Sequence, residues 1–175
     1  MPILYAIEAG QIENLKILLN DPRFDVDVDH IYAAANDGSV EMVTLLLGDK
    51  RIHPQSDDNK VIKDAISNGN EEIVHMLLSD KRVSDLVGRD DTDVLRMSVR
   101  SGKLGILKEV VSKLKLHVHD IVSLLLDTCR VGNYEMVEFC LDKLEPSEIS
   151  KRALVIARNK KRADIEELLL SRMEP

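Results

Sequence analysis

Residues 34–47 read Ala-Ala-Asn-Asp-Gly-Ser-Val-Glu-Met-Val-Thr-Leu-Leu-Leu, and the pattern of this stretch recurs along the chain about every thirty residues. In each copy an Ala-x-x-x-Gly phrase, or a close variant of it, precedes a run rich in apolar residues. Such a spacing predicts a stack of similar units, and stacks of this kind usually function by binding. The copies occupy residues 6–10, 34–38, 65–69, 98–102, 128–132 and, with Lys161 in place of glycine, 157–161.

Each copy predicts two short helices. The glycine permits the positive φ that commonly ends a first helix. The second helix carries apolar residues at helical spacing, as Val40, Val43 and Leu46 do. Turn formers such as Asn20-Asp21-Pro22-Arg23 then lead into a polar loop. Because two such helices cannot bury their apolar faces alone, we expect one domain over residues 1–175, with units of approximately 1–28, 29–59, 60–91, 92–119, 120–148 and 149–175.

The composition is typical of a soluble helical protein with an aliphatic core. Apolar residues make up 44% of the chain, aromatic residues only 3% and charged residues 31%. No apolar run approaches the roughly 18 residues that a membrane span needs, and the amino terminus shows no secretory leader. Cys129 and Cys140 fall at apolar positions of the repeat. They predict free, buried thiols and a reducing, cytoplasmic compartment.

Charge is spread unevenly along the sequence. Residues 1–88 carry 8 Lys and Arg against 16 Asp and Glu, whereas residues 89–175 carry 16 against 15. An acidic half argues against general nucleic-acid binding, which depends on neutralising phosphates. The same half is compatible with a basic surface on a protein partner.

The repeated stretch resembles the ankyrin repeat, whose unit reads Thr-Pro-Leu-His-x-Ala-Ala-x-x-Gly-His-x-Glu-Val-Val-x-Leu-Leu-Leu. Residues 34–47 match it nearly position for position, and residues 6–19 and 65–78 follow closely. The resemblance implies an all-α, ankyrin-like α-solenoid of about six stacked helix–turn–helix units. The Leu-Leu-x-Asp-x-Arg version of the unit is similar to ankyrin arrays of amoebae, their giant viruses and intracellular bacteria, which would place a viral or bacterial protein in the host cytoplasm.

The chain also departs from the family pattern. The Thr-Pro-Leu-His opening is nearly absent, and most connecting segments are shorter than a thirty-three-residue period requires. We therefore expect short or degenerate β-hairpin fingers. The last unit has lost its glycine and is rich in charge, which is typical of a terminal unit with one face in water.

Two polar stretches invite a metal-site interpretation. Residues 25–29, Asp-Val-Asp-Val-Asp, resemble the start of a calcium loop, but His30 and Asn36 stand where glycine and a bidentate glutamate are needed. An acidic solvated loop is the better interpretation. His117 and His119 lack the four convergent ligands of structural zinc. Two exposed histidines are therefore expected, with a loosely held metal as the alternative. No catalytic arrangement, cofactor cradle or metal centre is predicted.

Arginine recurs at one position of the first three units, as Arg23, Arg51 and Arg82, each two residues after an aspartate. One interpretation is a track for phosphate or an acidic peptide. The other, which we favour, is a set of cations at helix C-termini that pair with the nearby aspartates.

The resemblance also implies where a partner binds, because in ankyrin arrays the ends of the first helices line the concave face. The set is acidic in the first three units and basic in the later ones, which predicts a groove of opposite charge at its two ends. Its members are Tyr5, Glu8, Asn36, Asp37, Asp64, Ser67, Asn68, Met97, Arg100, Ser101, Arg130, Asn159 and Lys160.

We expect a monomeric, non-enzymatic scaffold or adaptor that binds a protein partner on this face. Neither nucleic acid nor membrane is expected as a partner, and no cofactor is implied. The alternative is a substrate-recognition adaptor of a ubiquitin ligase or a host-directed effector. A small enzyme would instead require a pocket lined by titratable groups.

Overall fold

A computed structural model describes residues 2–87 and 92–173 of the chain. These residues form six helix pairs, called repeats 1 to 6 below, and no described residue lies in a β strand. Repeats 1 to 3 are α1 (Pro2–Glu8) with α2 (Ile12–Asn20), α3 (Val28–Asp37) with α4 (Val40–Gly48), and α5 (Ser56–Ser67) with α6 (Glu71–Ser79). An additional helix, α7 (Lys81–Val87), follows repeat 3. Repeats 4 and 5 are α8 (Thr92–Arg100) with α9 (Leu104–Lys113) and α10 (Val118–Val131) with α11 (Tyr134–Leu141); a 3₁₀ helix (Pro146–Glu148) then precedes repeat 6, which is α12 (Lys151–Asn159) with α13 (Ala163–Met173).

The chain divides into two compact units, Met1–Val94 and Leu95–Pro175. In the first unit α1 contacts α3 and α3 contacts α5, while α2 contacts α4 and α4 contacts α6. In the second unit α10 contacts α12, and α11 contacts both α9 and α13. First helices thus pack on first helices and second helices on second helices, which confirms the all-α, ankyrin-like fold. The single domain over residues 1–175 stays a prediction, and the predicted boundary after residue 91 lies outside the described residues.

Left-handed residues end the first helices, as the repeat pattern predicts. Gly38 has φ 78°, and its amide donates to the carbonyl oxygens of Ala34 and Ala35. Lys161 occupies the same place in repeat 6 with φ 56°, a conformation that costs a residue bearing a Cβ about 1–2 kcal/mol. The sixth repeat therefore keeps the backbone geometry of the others although it has lost the glycine.

Aliphatic side chains from facing helices fill the interior of each unit. Ile7, Leu46 and Leu77 are buried in the first unit, and Leu125 and Leu169 are buried in the second. Both cysteines are free and buried, as predicted. Burial raises the pKa of the Cys129 thiol to about 11 and that of the Cys140 thiol to about 12.

The connecting segments differ from the expectation in two places. After α6 the chain does not enter a polar loop but forms α7. Pro54 follows the corresponding residues of repeat 2 and disfavours helix there, whereas residues 81–87 contain no proline. At the start of α5, Asp57, Asp58 and Asn59 all have left-handed φ values, between 52° and 57°. Right-handed helix therefore begins at Lys60, the residue at which the sequence pattern places it.

This left-handed turn is held to repeat 2 by Tyr32. The Tyr32 hydroxyl donates to the Asp57 carboxylate at 3.1 Å, and the Lys60 ammonium lies 4.3 Å from the centre of the Tyr32 ring. Burial, followed by the Asp57 hydrogen bond, raises the pKa of the Tyr32 hydroxyl above its ordinary value. The tyrosine consequently remains a neutral donor at physiological pH.

Arginine side chains join consecutive repeats of the first unit. Arg51 donates from Nη2 to the carbonyl oxygen of Leu19 at 2.8 Å and from Nη1 to that of Phe24 at 3.1 Å. Arg82 makes the corresponding bonds one repeat later, to Leu47 at 2.8 Å and Ile52 at 3.0 Å. Each guanidinium thus binds one carbonyl at the C-terminal end of the preceding second helix, which has no partner within that helix, and one carbonyl in the segment that follows the helix. We call this arrangement the arginine clasp.

An aspartate two residues earlier holds each clasp in place. Asp49 receives hydrogen bonds from Nε, Nη2 and the backbone amide of Arg51, and Asp80 receives the same three from Arg82. These bonds hold the pKa of both carboxyls below the ordinary value. The structure thereby supports cations at helix C-termini over a track for phosphate.

Among the described residues, no helix is both long enough and apolar enough to cross a membrane.

Candidate partner-binding site

The predicted partner-binding residues of repeats 1–3 lie at the C-terminal ends of α1, α3 and α5. Glu8, Asn36, Asp37, Ser67 and Asn68 are exposed. Each of them lies within one turn of a left-handed glycine, which ends the helix. The last turn of each first helix is therefore the part that these residues expose. This part of the surface is polar and carries the carboxylates of Glu8 and Asp37.

One hydrogen bond brings two of these ends together. Asn68 donates from Nδ2 to Oδ1 of Asn36 at 2.8 Å, across the boundary between repeats 2 and 3. Nearby, Asn70 donates to the carbonyl oxygen of Ala35 at 3.2 Å. The spacing between these two helix ends is therefore fixed before any partner arrives.

Asp64 and Tyr5 differ from the rest of the predicted set. Asp64 lies half-buried one turn earlier on α5 and accepts a hydrogen bond from the Lys60 ammonium at 2.7 Å. Its charge is locally compensated, so it contributes less to an acidic surface than the sequence suggests. Tyr5 is exposed, but it lines a shallow cavity with Ile17 and Asn14 of α2 rather than lying at the end of α1.

In the second unit, two of the predicted residues share a cavity. Arg100 of α8 and Arg130 of α10 line a space of about 260 Å³ together with Arg96 and Asp127. Val99 and Val131 supply its apolar wall. We call this space the arginine cavity.

The charge of the arginine cavity is only partly balanced. Arg130 donates to the Asp127 carboxylate one turn earlier on the same helix. Within the described part of the chain, neither Arg96 nor Arg100 forms an ion pair, and both are exposed. Two guanidinium groups are therefore available to an external anion, and the planar fork of arginine suits a carboxylate or a phosphate.

The remaining predicted residues of the second unit do not line this cavity. Met97 and Ser101 lie half-buried on and just after α8, and the Ser101 hydroxyl donates to the Ser98 carbonyl oxygen at 2.7 Å. Asn159 and Lys160 are exposed at the end of α12. All four stand beside a first-helix end, as the resemblance implies.

Two members of the cavity, Arg96 and Asp127, were missed by the sequence analysis. Arg96 lies four residues before Arg100 and Asp127 three before Arg130, spacings that place each pair on one face of a helix. Arg96 lies six residues before its glycine, outside the predicted positions, whereas Asp127 lies five before its glycine, as Asp64 and Met97 do, so the repeat register could have identified it.

Both candidate metal stretches turn out to begin helices. The Asp27 side chain accepts from the amide of Asp29, while Nδ1 of His30 accepts from the amide of Asp27. Likewise, Asp120 accepts from the amide of His117 at 2.8 Å, and His117 and His119 are both exposed. Across the described residues, no three His, Cys, Asp or Glu side chains converge as metal ligands would.

Comparison with known families agrees with this architecture. A family model described as ankyrin repeats in three copies matches residues 3–90. The chain belongs to the ankyrin-repeat family. A comparison with curated proteins found no match.

The match spans the repeats that contain the arginine clasp. Ankyrin repeats generally mediate protein–protein interactions and are typically non-enzymatic modules. A protein partner follows from this membership.

Proposed function

We propose that this protein is a non-enzymatic scaffold or adaptor whose first-helix ends bind an acidic segment of a protein partner. The arginine cavity is the observation that carries the proposal. Arg96 and Arg100 stand one turn apart on α8 and face Arg130 of α10 across a space large enough for an acidic side chain. A carboxylate entering it would meet several guanidinium donors.

The apolar wall of the cavity strengthens such a contact. Val99 is buried and Val131 is partly exposed at the rim. A carboxylate inserted beside them would be partly removed from water, where its attraction to a guanidinium is stronger than at an open surface. The proposed ligand is therefore an acidic side chain next to an apolar one.

The carboxylates at the ends of α1 and α3 would select the charge of what binds the first unit. Glu8 and Asp37 repel an acidic segment and attract a basic one. The ends of α1 and α3 in the first unit would thus favour a neutral or basic segment of a partner, whereas the arginine cavity of the second unit would favour an acidic one. Because the helix ends are already held by hydrogen bonds such as Asn68 to Asn36, binding would require little ordering of this protein.

A display selection of random peptides on the purified chain tests the proposal. The wild type should enrich peptides rich in Asp and Glu, and Arg96→Glu/Arg100→Glu should lose that enrichment. Lys115→Glu/Lys151→Glu is the matched control, because it changes the net charge equally at exposed positions outside the cavity. An unbiased selection, or one that the cavity variant leaves unchanged, would overturn the proposal.

The ubiquitin-ligase alternative predicts a second class of partner. An adaptor of that kind binds ligase subunits at a surface separate from its substrate site. Capture from cells would recover ligase subunits with both the wild type and the cavity variant. The plain scaffold would recover none.

A further inference from the structure

One side of repeat 1 exposes Ile17, whose counterparts in repeats 2 and 3 are half-buried. Ile17 stands seven residues after its glycine, as Leu45 and Met76 do. Leu45 lines a groove with Lys16 and Leu19 of α2, and Sδ of Met76 lies 3.1 Å from the Thr44 hydroxyl of α4. This position therefore faces the preceding repeat.

In repeat 1 the same side is open. Tyr5 and Ile17 are 66% and 68% exposed and flank a shallow cavity of about 320 Å³. The two side chains together form an exposed apolar patch, a feature that is typical of interaction surfaces. We call this side, defined by Tyr5, Ile17 and Arg23, the head surface.

Arg23 has the same aspartate pairing as the two clasp arginines, but its guanidinium is exposed. Its guanidinium is bound by Asp21 through the bonds that Asp49 makes to Arg51, including Nη2 to Oδ2 at 2.5 Å. The Arg23 side chain is 83% exposed, against 38% for Arg51 and 32% for Arg82, which both reach carbonyls of a preceding helix. The head surface thus presents a preformed donor for the C-terminal carbonyls of a helix.

Repeat 6 exposes the complementary residues. Leu170 stands nine residues after Lys161, where Leu19 and Leu47 provide the clasped carbonyls, and its side chain is 41% exposed. Val155 occupies the position of Tyr32, whose hydroxyl contacts the following repeat, and is 55% exposed. We call this side, defined by Val155, Leu170 and the end of α13, the tail surface.

Charge favours the same pairing. Residues 1–28 carry five carboxylates and two basic side chains, whereas residues 149–175 carry four carboxylates and seven basic side chains. The first repeat is therefore net acidic and the last net basic, which favours attraction between them.

From these observations we infer that the tail surface of one copy docks on the head surface of a second copy. Leu170 and Val155 would cover Ile17 and Tyr5, and Arg23 would donate to a carbonyl oxygen in the last turn of α13. This contact repeats the packing between successive repeats within the chain. It is heterologous, because two different surfaces meet, so it can extend beyond a dimer.

Analytical ultracentrifugation of the full chain tests this inference. The weight-average molar mass of the wild type should rise with protein concentration. Tyr5→Ser/Ile17→Ser removes the head surface and Val155→Ser/Leu170→Ser removes the tail surface, so each variant should be monomeric alone. All four positions are exposed, and far-UV circular dichroism of both variants should match the wild type.

Mixing the two variants gives the decisive result. One retains its tail and the other its head, so an equimolar mixture should form one-to-one dimers and nothing larger. Adding Arg23→Lys to Val155→Ser/Leu170→Ser, the variant that keeps its head surface, should weaken the affinity of this dimer at least about tenfold. A wild type that stays monomeric at every concentration, a mixture that does not associate, or self-association of either variant alone would overturn the inference.

Discussion

The guanidinium of Arg82 donates to the carbonyl oxygen of Leu47 at 2.8 Å, although 35 residues separate them in the sequence. This bond ties the third repeat to the end of the second helix of the second repeat. Arg51 and Leu19 are related in the same way one repeat earlier. A short Asp-x-Arg motif therefore acts between repeats and not only within one.

The clasp predicts that lysine cannot replace arginine at these positions. Arg82→Lys keeps the charge but cannot reach Asp80, Leu47 and Ile52 together, because an ammonium lacks the planar fork. We expect the free energy of unfolding to fall by about 1.5–3 kcal/mol, the usual range for hydrogen bonds to a charged group. Urea denaturation followed by circular dichroism measures this loss.

Arg23→Lys is the matched control for that experiment. Arg23 pairs with Asp21 as Arg82 pairs with Asp80, but among the described residues it makes no bond to another repeat. Its substitution should leave the denaturation midpoint of the monomer unchanged. Equal losses in Arg23→Lys and Arg82→Lys would show that the aspartate pairing, rather than the inter-repeat bonds, stabilises the fold.

The clasp also predicts a pH dependence. Hydrogen bonds from Arg82 hold the pKa of Asp80 below its ordinary value of 3.8. A lowered folded-state pKa contributes stability that is fully present above the unfolded-state pKa and is lost as the pH falls through the folded-state value. Asp80→Asn should therefore be less stable than the wild type at neutral pH. The difference should begin to shrink below about pH 4, where the unfolded chain takes up a proton at Asp80, and should be lost at the lower pH where the folded protein is also protonated there.

Urea denaturation of both proteins at a series of pH values checks this expectation. Glu13→Gln serves as a control, since Glu13 is exposed and outside the clasp. A difference between Asp80→Asn and the wild type that persists undiminished at low pH would contradict a role for the Asp80 charge.

Restoring the lost glycine should stabilise repeat 6. Lys161→Gly places the residue best suited to φ 56° at a position where a Cβ is strained. We expect a gain of about 1 kcal/mol in the free energy of unfolding. Lys160→Gly is the matched control, because Lys160 is right-handed with φ −86° and should lose stability on the same change. A loss of stability in Lys161→Gly would mean that the lysine side chain contributes more than the backbone strain costs.

The buried cysteines should report on the stability of the second unit. Cys129 and Cys140 are buried, so a reagent cannot reach them easily. Burial also raises the pKa of both thiols, so little of the reactive thiolate form is present at pH 8. A disulfide reagent should therefore label the folded chain slowly, at a rate that increases with urea. Fast labelling in the absence of denaturant would show that this unit opens far more readily than its packing indicates.

The sequence predicted the elements of the fold well because the repeat is a local signal. The second helices, such as Ile12–Asn20 and Glu71–Ser79, occupy the apolar runs that follow the glycines, as the repeat pattern predicts. The left-handed residues after the first helices follow from glycine chemistry, and Lys161 was identified from its register alone. Such features depend on neighbouring residues, and the sequence shows these directly.

Contacts between repeats were harder to predict. The sequence placed Arg51 and Arg82 at helix ends and paired them with aspartates, but it did not show that the carbonyls belong to the preceding repeat. The register between neighbouring repeats depends on how the helices pack, which no single unit encodes. The same limit explains why Arg96 was missed and why Asp64 was counted as a free carboxylate although Lys60 neutralises it.

We propose that the ends of the first helices bind a protein partner and that the arginine cavity receives an acidic segment of it. Quantitative affinity capture from cells that express the protein tests it most directly, using the wild type, Arg96→Glu/Arg100→Glu, Asp37→Arg/Arg100→Glu and the control Lys115→Glu/Lys151→Glu. The wild type and the control should retain the same specific protein, while both variants with a reversed Arg100 should lose it. If all four chains captured the same set of proteins, the arginine cavity would not be the binding site.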